Sequence, residues 1–222
     1  MNHSARRKML KFLGTFMVVL FPVVLAIWFA HIRAMTETHN QLRSFAQLVL
    51  NKTELVILQA DLARDMAQLY QGKMCTPAHQ KSMLNIIRGR LYISELIYAQ
   101  GDHFLCSTSM APPVTYIMPT ADYKRTPDIA IYYYRDTPFF AGYRMTYMQR
   151  GNYVAVINPL SYSEVMSDDP DLSWGVYDTV TDTFFSASEA ANIAQFAPLV
   201  RGEASTFQQD DRFYTIDRKS VV

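Results

Sequence analysis

Cysteine and glycine are scarce in this sequence, which holds two cysteines and eight glycines among 222 residues. Two cysteines exclude the disulfide-rich scaffolds that staple small secreted domains. Internal repeats and low-complexity tracts are also missing, which excludes the repeat architectures. Half of the residues are hydrophobic, so the chain can bury the core of one large domain or of two small ones.

Outside the first eleven residues, the sequence has no excess of basic residues. The first eleven residues hold Arg6, Arg7, Lys8 and Lys11 and no acidic residue. The rest of the chain carries 17 basic against 20 acidic residues, a net charge of −3. Because nucleic-acid binding needs a basic face, no nucleic acid is expected among the partners.

A single long run without charge follows the basic cluster, nineteen residues from Phe12 to Ala30. This length predicts a transmembrane helix over 12–32, in which Pro22 is tolerated. The alternative is a cleaved signal peptide, but Trp28 stands where a cleavage site needs a small residue. The positive-inside rule predicts a cytoplasmic tail at 1–11 and places 33–222 on the other side of the membrane.

Glycine and proline are absent from Arg33 to Gln71, which predicts a helical stem of about 57 Å that runs from the membrane to Tyr70. Leucine recurs at every seventh residue of this stem, at Leu48, Leu55, Leu62 and Leu69. The spacing is typical of a coiled-coil dimer or of an amphipathic helix packed on its own domain. We expect the second arrangement far from the membrane, whereas a homodimer through the half near the membrane stays open.

A second helix is predicted from Pro77 to Arg88, because Thr76 has the chemistry of an N-cap and proline suits the first helical position. Two β-prone runs around Gly101 and Asp102 predict a hairpin. Further strands are predicted at 128–135, 142–149, 153–158, 173–180, 184–186 and 212–218.

A short helix is predicted between the last two strands, where Ser186 and Glu189 form a capping box and Pro198 ends the helix. The fold class is therefore α+β. A transmembrane helix and a long helical stem precede a PAS-like antiparallel sheet of five to seven strands with flanking helices.

Signatures of catalysis and of metal binding are missing too. There is no nucleophile elbow, S-x-x-K motif or phosphate-binding loop. Glu95 is expected to face inward but has no acidic partner for acid–base chemistry. The acidic loop 168–171 is more typical of a solvated turn than of a cation site.

The five histidines are interpreted as single surface or interfacial residues, none with a second histidine or cysteine at ligand spacing. We therefore expect neither a metal site nor a cofactor. The histidines are His3, His31, His39, His79 and His103.

The two cysteines, Cys75 and Cys106, both follow the apolar run and fall in a compartment where disulfides persist. A bond between them would close a loop of about thirty residues, which contributes roughly 3 to 4 kcal/mol in the chain-entropy model. Such a bond is either a permanent structural staple or a redox switch at the junction of stem and sheet. Physical reasoning alone favours the staple.

The order of these features resembles the CSS-motif sensor domain. A membrane-anchored helix, a cysteine, and a helix with a hairpin precede a second cysteine that small hydroxyl residues follow. The family signature is Cys-Ser-Ser, which Cys106 and Ser107 match, while Thr108 takes the third place and Ser109 follows it. The upstream cysteine of the family corresponds to Cys75.

The resemblance implies the periplasmic half of a bacterial inner-membrane enzyme, whose second membrane helix leads to a cytoplasmic EAL domain that hydrolyses cyclic di-GMP. It also implies that the redox state of a Cys75–Cys106 disulfide regulates the phosphodiesterase. The inner membrane and periplasmic disulfide-forming and reducing proteins are then the expected partners.

The sequence departs from this pattern at RFYTIDRKSVV, where the second membrane helix is expected, and it contains no E-A-[ILV]-x-R run. We therefore expect no enzyme activity from this chain itself, which is either a truncated member or a domain that acts on partners. The alternatives are a pilin-like structural subunit and a PAS-like sensor of a small molecule, each with a purely structural disulfide.

Overall fold

The computed structural model describes residues 3–109, 116–126, 129–136, 144–157, 161, 172–178, 183–187, 206–209 and 212–216. The chain divides into two compact units. The first comprises Met1–Ala46 with Ala204–Asp217, and the second comprises Gln47–Glu203 with Arg218–Val222. Both cysteines and the hydroxyl residues after Cys106 therefore lie in the second unit.

Helix α1 is one continuous element, His3–Gln68, with Pro22 inside it. Its sequence from Phe16 onward has the length and composition to cross a membrane, and α1 is the one helix with this property in the part of the chain that the structure describes. The predicted stem is confirmed as a helix, although it ends at Gln68, two residues earlier than expected.

The C-terminal part of α1 buries an alanine-rich face against the sheet of the second unit. The buried side chains recur every three, four or seven residues, which places them on one side of the helix; they are Val49, Val56, Ala60, Ala63 and Ala67. Small side chains let the helix backbone lie close to the strands. The ammonium group of Lys52 donates a hydrogen bond of 2.7 Å to the Tyr92 hydroxyl.

As expected for the half far from the membrane, α1 packs on its own domain, but it does so through the alanine-rich face. The leucine repeat lies on another side of the helix and is exposed. Their exposed fractions range from 41% at Leu55 to 74% at Leu69, and Leu58 and Met66 are exposed beside them. The repeat therefore forms an apolar stripe, which we call the leucine stripe: Leu48, Leu55, Leu58, Leu62, Met66 and Leu69.

Helix α2, Pro77–Ile87, begins and ends close to the predicted positions. The Thr76 hydroxyl accepts a hydrogen bond from the backbone N–H of His79, as expected of an N-cap, and Pro77 takes the first helical position. Met83 and Ile86 pack against the same core as α1.

A seven-stranded antiparallel sheet follows, which confirms the α+β class. Its strand order is β3-β2-β1-β7-β6-β5-β4, and two separate pairs, β8 with β9 and β10 with β11, complete the described strands. The strands are β1 Ile93–Gln100, β2 His103–Ser107, β3 Tyr116–Ile117, β4 Tyr123–Thr126, β5 Ile129–Asp136, β6 Arg144–Arg150, β7 Tyr153–Ile157, β8 Gly175–Asp178, β9 Thr183–Ala187, β10 Thr206–Gln209 and β11 Arg212–Thr215.

The sheet is buried on both faces, as strand β7 shows. Tyr153, Ala155 and Ile157 belong to the cluster that α1 and α2 cover, while Val154 and Val156 belong to a second cluster on the other face. This alternation is the period of two of a β-strand. Cys106 belongs to the helix-covered cluster, so that face carries the candidate site.

Within the first unit, the hairpin of β10 and β11 lies beside α1, where the ring centroids of His39 and Phe213 are 5.4 Å apart. The predicted short helix after Ser186 and the acidic loop 168–171 lie outside the residues that the structure describes.

Candidate functional site

Cys75 lies in the connection between α1 and α2, directly before the N-cap of α2. Its φ of 56° is the only positive value among the non-glycine residues that the structure describes. The left-handed region is costly for a residue with a Cβ, so surrounding contacts must hold this backbone. One such contact is the backbone N–H of Cys75, which donates a hydrogen bond of 3.0 Å to His79 Nδ1.

Cys106 is the fourth residue of β2 and is 4% exposed. It forms a disulfide with Cys75, and the two Cα atoms lie 5.6 Å apart. The bond spans 31 positions of sequence and ties the connection between the helices to the sheet. Cys75 is half-buried, so the two cysteine residues differ in their exposure to solvent.

His79, in the first turn of α2, is fully buried against the disulfide. Its Nδ1 accepts from the backbone of Cys75 and therefore holds a lone pair, which places the proton of the neutral ring on Nε2. Nε2 lies 2.9 Å from the hydroxyl of Tyr153 and donates to it in this tautomer. Burial lowers the pKa of His79, which favours the neutral ring.

Three tyrosine rings surround the His79 imidazole, with centroids 4.7 to 5.9 Å away: Tyr70, Tyr98 and Tyr153. Burial, followed by the influence of Tyr98 and Tyr70, raises the pKa of Tyr153 to about 12. The Tyr153 hydroxyl therefore stays protonated, and it lies 3.8 Å from the sulfur of Met74. The surroundings of the disulfide thus combine aromatic rings with one neutral histidine.

The serines after Cys106 donate hydrogen bonds to a buried side chain on β1, the carboxyl group of Glu95. The hydroxyls of Ser107 and Ser109 both donate to Oε1 of Glu95, and the backbone N–H of Ser109 donates to the same oxygen at 2.9 Å. Glu95 is 2% exposed, and a buried carboxyl needs such donors. The serines of the motif therefore supply the hydrogen bonds that a buried acidic group inside the sheet requires.

Thr108, between the two serines, makes contacts of a different kind. Its backbone N–H donates to the carbonyl of Leu96 at 3.0 Å, and its hydroxyl accepts a long hydrogen bond of 3.4 Å from the Leu96 N–H. Thr108 extends the pairing of the chain with β1 by one residue. This role depends mainly on the backbone and tolerates threonine in place of serine.

Helix α2 contacts both halves of this site. The side-chain amide of Gln80 donates a 3.0 Å hydrogen bond to the carbonyl of Ser107, while the neighbouring His79 contacts Cys75 and Tyr153. Two consecutive residues of α2, His79 and Gln80, therefore connect the disulfide to the serines. A displacement of the disulfide would change the contacts of the serines through them.

The structure brings together most of the residues that the sequence singled out. Cys75, Cys106 and Ser107 lie in one cluster, and Ser109 reaches it through Glu95. Glu95 does face inward as predicted.

The interpretation of His79 as a surface or interfacial residue is wrong, because this side chain is fully buried. The sequence held a signal that was missed. Cys75 and His79 are four residues apart across a predicted helix start, a spacing that brings two side chains to the same side. One ring nitrogen of His79 and the sulfurs of Cys75 and Cys106 lie within 4.8 Å of one another.

These features define an α+β domain that follows a long apolar helix and carries a disulfide beside a buried histidine. Residues 38–218 match the model of the CSS motif domain associated with EAL. The chain belongs to this family, which confirms the resemblance that the sequence suggested. The matched residues begin after the apolar run.

A curated relative is the "Probable cyclic di-GMP phosphodiesterase PdeB" of Escherichia coli (strain K12). The two are 28% identical over 160 residues, which is 71% of this chain. The chain spans only 30% of the length of that relative. No solved structure gives a significant match.

Proposed function

We propose that this chain is a membrane-anchored periplasmic sensor domain of cyclic di-GMP signalling, and that the state of its Cys75–Cys106 disulfide regulates a phosphodiesterase. The family description associates the domain with EAL, and the relative is named as a probable cyclic di-GMP phosphodiesterase. In this proposal, 1–11 is cytoplasmic, 12–32 spans the inner membrane and 33–222 is periplasmic. The long apolar helix supports the anchor.

The observation that carries the proposal is the position of the disulfide. It joins the segment that follows α1 to a strand in the middle of the domain, across 31 positions of sequence. Opening the bond would remove the covalent link between the segment before α2 and β2 and leave the hydrogen bond from Gln80 to Ser107. A left-handed Cys75 would lose the link that helps to hold it. Reduction would therefore change the junction next to the helix that leads to the membrane.

The phosphodiesterase itself would reside in another catalytic region or partner. No E-A-[ILV]-x-R run occurs in the 222 residues, and this observation supports a sensing rather than a catalytic role for them. Periplasmic dithiol–disulfide exchange proteins would oxidise and reduce the bond.

Thiol trapping in cells that produce the full chain tests the proposal. Rapid acid quenching and alkylation with a heavy maleimide separates the oxidised from the reduced form on a gel. We expect mainly oxidised protein in cells with an intact disulfide-forming system, and a substantial reduced fraction when that system is removed.

The double variant Cys75→Ser/Cys106→Ser is the control, because it gives the band that carries no maleimide. Cellular cyclic di-GMP, measured in the same cultures, should differ between the wild type and this variant. If the bond stays fully oxidised in every condition and cyclic di-GMP is unchanged in the variant, the disulfide has only a structural role.

A further inference from the structure

His79 helps to hold the left-handed backbone of Cys75, but its position beside both sulfurs goes beyond what a redox switch of two cysteines requires. A histidine nitrogen and both sulfurs lie within 4.8 Å of one another, and His79 is fully buried. Burying an imidazole beside two sulfurs costs free energy unless its nitrogens are hydrogen-bonded, whereas an apolar side chain would pack there without that requirement. Once the disulfide is open, the same three groups are a set of metal ligands.

The protonation of the histidine suits coordination. Nδ1 holds the lone pair and lies on the side of Cys75, whose backbone N–H donates to it at 3.0 Å. A metal bound at Nδ1 would take this lone pair and displace the Cys75 N–H. Nε2 is 2.9 Å from the Tyr153 hydroxyl, which fixes the ring and its tautomer. Histidines that bind metals generally donate the second ring nitrogen to such an outer partner.

The backbone around the cysteines can accommodate the larger separation that a metal requires. Two thiolates on tetrahedral zinc, each about 2.3 Å from the ion, lie roughly 3.8 Å apart. The Cα atoms of Cys75 and Cys106 are 5.6 Å apart. From that distance, rotation about the two Cα–Cβ bonds separates the sulfurs while the strand and the start of α2 stay in place.

We propose that the reduced domain binds a thiophilic divalent cation, Zn²⁺, through the sulfurs of Cys75 and Cys106 and Nδ1 of His79, with water at the fourth position. Thiolate and imidazole ligands select zinc over magnesium or calcium. The inference rests on the reduced state that the proposed function also uses. Zinc would keep Cys75 linked to Cys106 after reduction and would shield both thiolates from reoxidation.

The chemistry balances without a further reactant. A phosphine and one water molecule convert the disulfide into two thiols and leave a phosphine oxide. Each thiol then loses one proton when its sulfur coordinates the cation, so that one Zn²⁺ releases two protons. In cells, a dithiol protein would take the place of the phosphine and become a disulfide itself.

Anaerobic titration of the full chain in detergent with Co²⁺ tests the proposal, because tetrahedral thiolate-bound Co²⁺ has characteristic visible and near-ultraviolet absorption. The protein is first reduced with a phosphine, desalted and assayed for two free thiols. We expect one Co²⁺ per reduced chain, displacement of this Co²⁺ by Zn²⁺, and no absorption bands for the oxidised protein.

Three variants assign the ligands. His79→Gln should abolish the tetrahedral bands, whereas His103→Gln, at an exposed histidine of β2, should keep them. Tyr153→Phe keeps the ring and removes the partner of Nε2, so it should weaken binding about 10- to 100-fold. The comparison of oxidised with reduced wild type needs no variant and holds even if His79→Gln does not fold.

The proposal is overturned if the reduced wild type gives no such bands, if His79→Gln gives the same bands, or if the phosphine cannot open the bond in the folded protein. Chemical reduction separates this inference from the proposed function. Zinc binding can be present in a domain that cells never reduce, and thiol trapping can find a reduced form that binds no metal.

Discussion

At the scale of single residues, the signature after Cys106 has a structural explanation. Ser107 and Ser109 donate to one oxygen of buried Glu95, while Thr108 points its hydrogen bonds at the backbone of Leu96. The two serines and the threonine are adjacent in sequence but contribute to different contacts. Their substitutions should therefore have different costs.

Ser107→Ala should destabilise the domain by about 1 to 3 kcal/mol, because it removes a donor from a buried carboxyl. Thr108→Val keeps the shape of its side chain and loses only a 3.4 Å hydrogen bond, so its cost should be smaller. Denaturant unfolding followed by near-ultraviolet circular dichroism measures both. Equal losses of free energy for the two variants would contradict this assignment.

Local chemistry was readable from the sequence wherever a contact depends on neighbours in the chain. Thr76 and Pro77 predicted the start of α2, and Gly101 predicted the turn between β1 and β2; its φ is 64°. The environment of His79 was not readable, since its burial depends on Tyr153, which is 74 residues away. The partners of Glu95 were missed although they are the motif itself, because a hairpin was predicted without its register.

At the scale of elements, the seven-residue repeat in α1 indicated an apolar stripe but not the side on which it lies. The buried side is the one with Ala60, Ala63 and Ala67, because small residues allow a helix to approach a sheet closely. The pairing of β1 with β7 was also beyond the sequence, since it joins strands more than fifty positions apart. A hydrophobic period defines a face, and only the tertiary structure decides what covers it.

Ala60→Leu should destabilise the domain by about 1 to 3 kcal/mol, because Ala60 is fully buried and the added atoms would force α1 away from the strands. Ala78→Leu makes the same substitution at an exposed alanine of α2, outside the leucine stripe, and should change the free energy of unfolding by less than about 0.5 kcal/mol. Denaturant titration of both variants measures the two changes in the free energy of unfolding. A tolerated Ala60→Leu would mean that this face is loosely packed.

We propose that the leucine stripe is the contact surface for a second copy of the chain. Its spacing of seven residues is that of a coiled-coil seam, and a second copy presents the same seam. Leu55→Lys/Leu62→Lys should convert a dimer into a monomer in detergent, as measured by light scattering. Leu91→Lys, at a leucine that is 82% exposed outside the stripe, should remain dimeric. A monomeric wild type would refute the dimer.

At the scale of the whole molecule, the proposed topology rests on the basic cluster before the apolar run. Alkaline phosphatase folds only after export, so a fusion after residue 216 should be active. A green fluorescent protein at the N-terminus should fluoresce, because it would remain in the cytoplasm. An inactive phosphatase fusion together with a dark N-terminal fusion would indicate the reverse orientation.

Because the two cysteine residues are unequally buried, the disulfide should open from one side. An incoming thiolate must approach in line with the bond and can reach only an accessible sulfur. Cys75 is half-buried, as are its neighbours Met74 and Thr76, whereas Cys106 is enclosed in the core. A reducing protein would therefore form its mixed disulfide with Cys75, and Cys106 would depart as the leaving thiolate. The first half of the exchange would take place at the surface while the sheet remains closed.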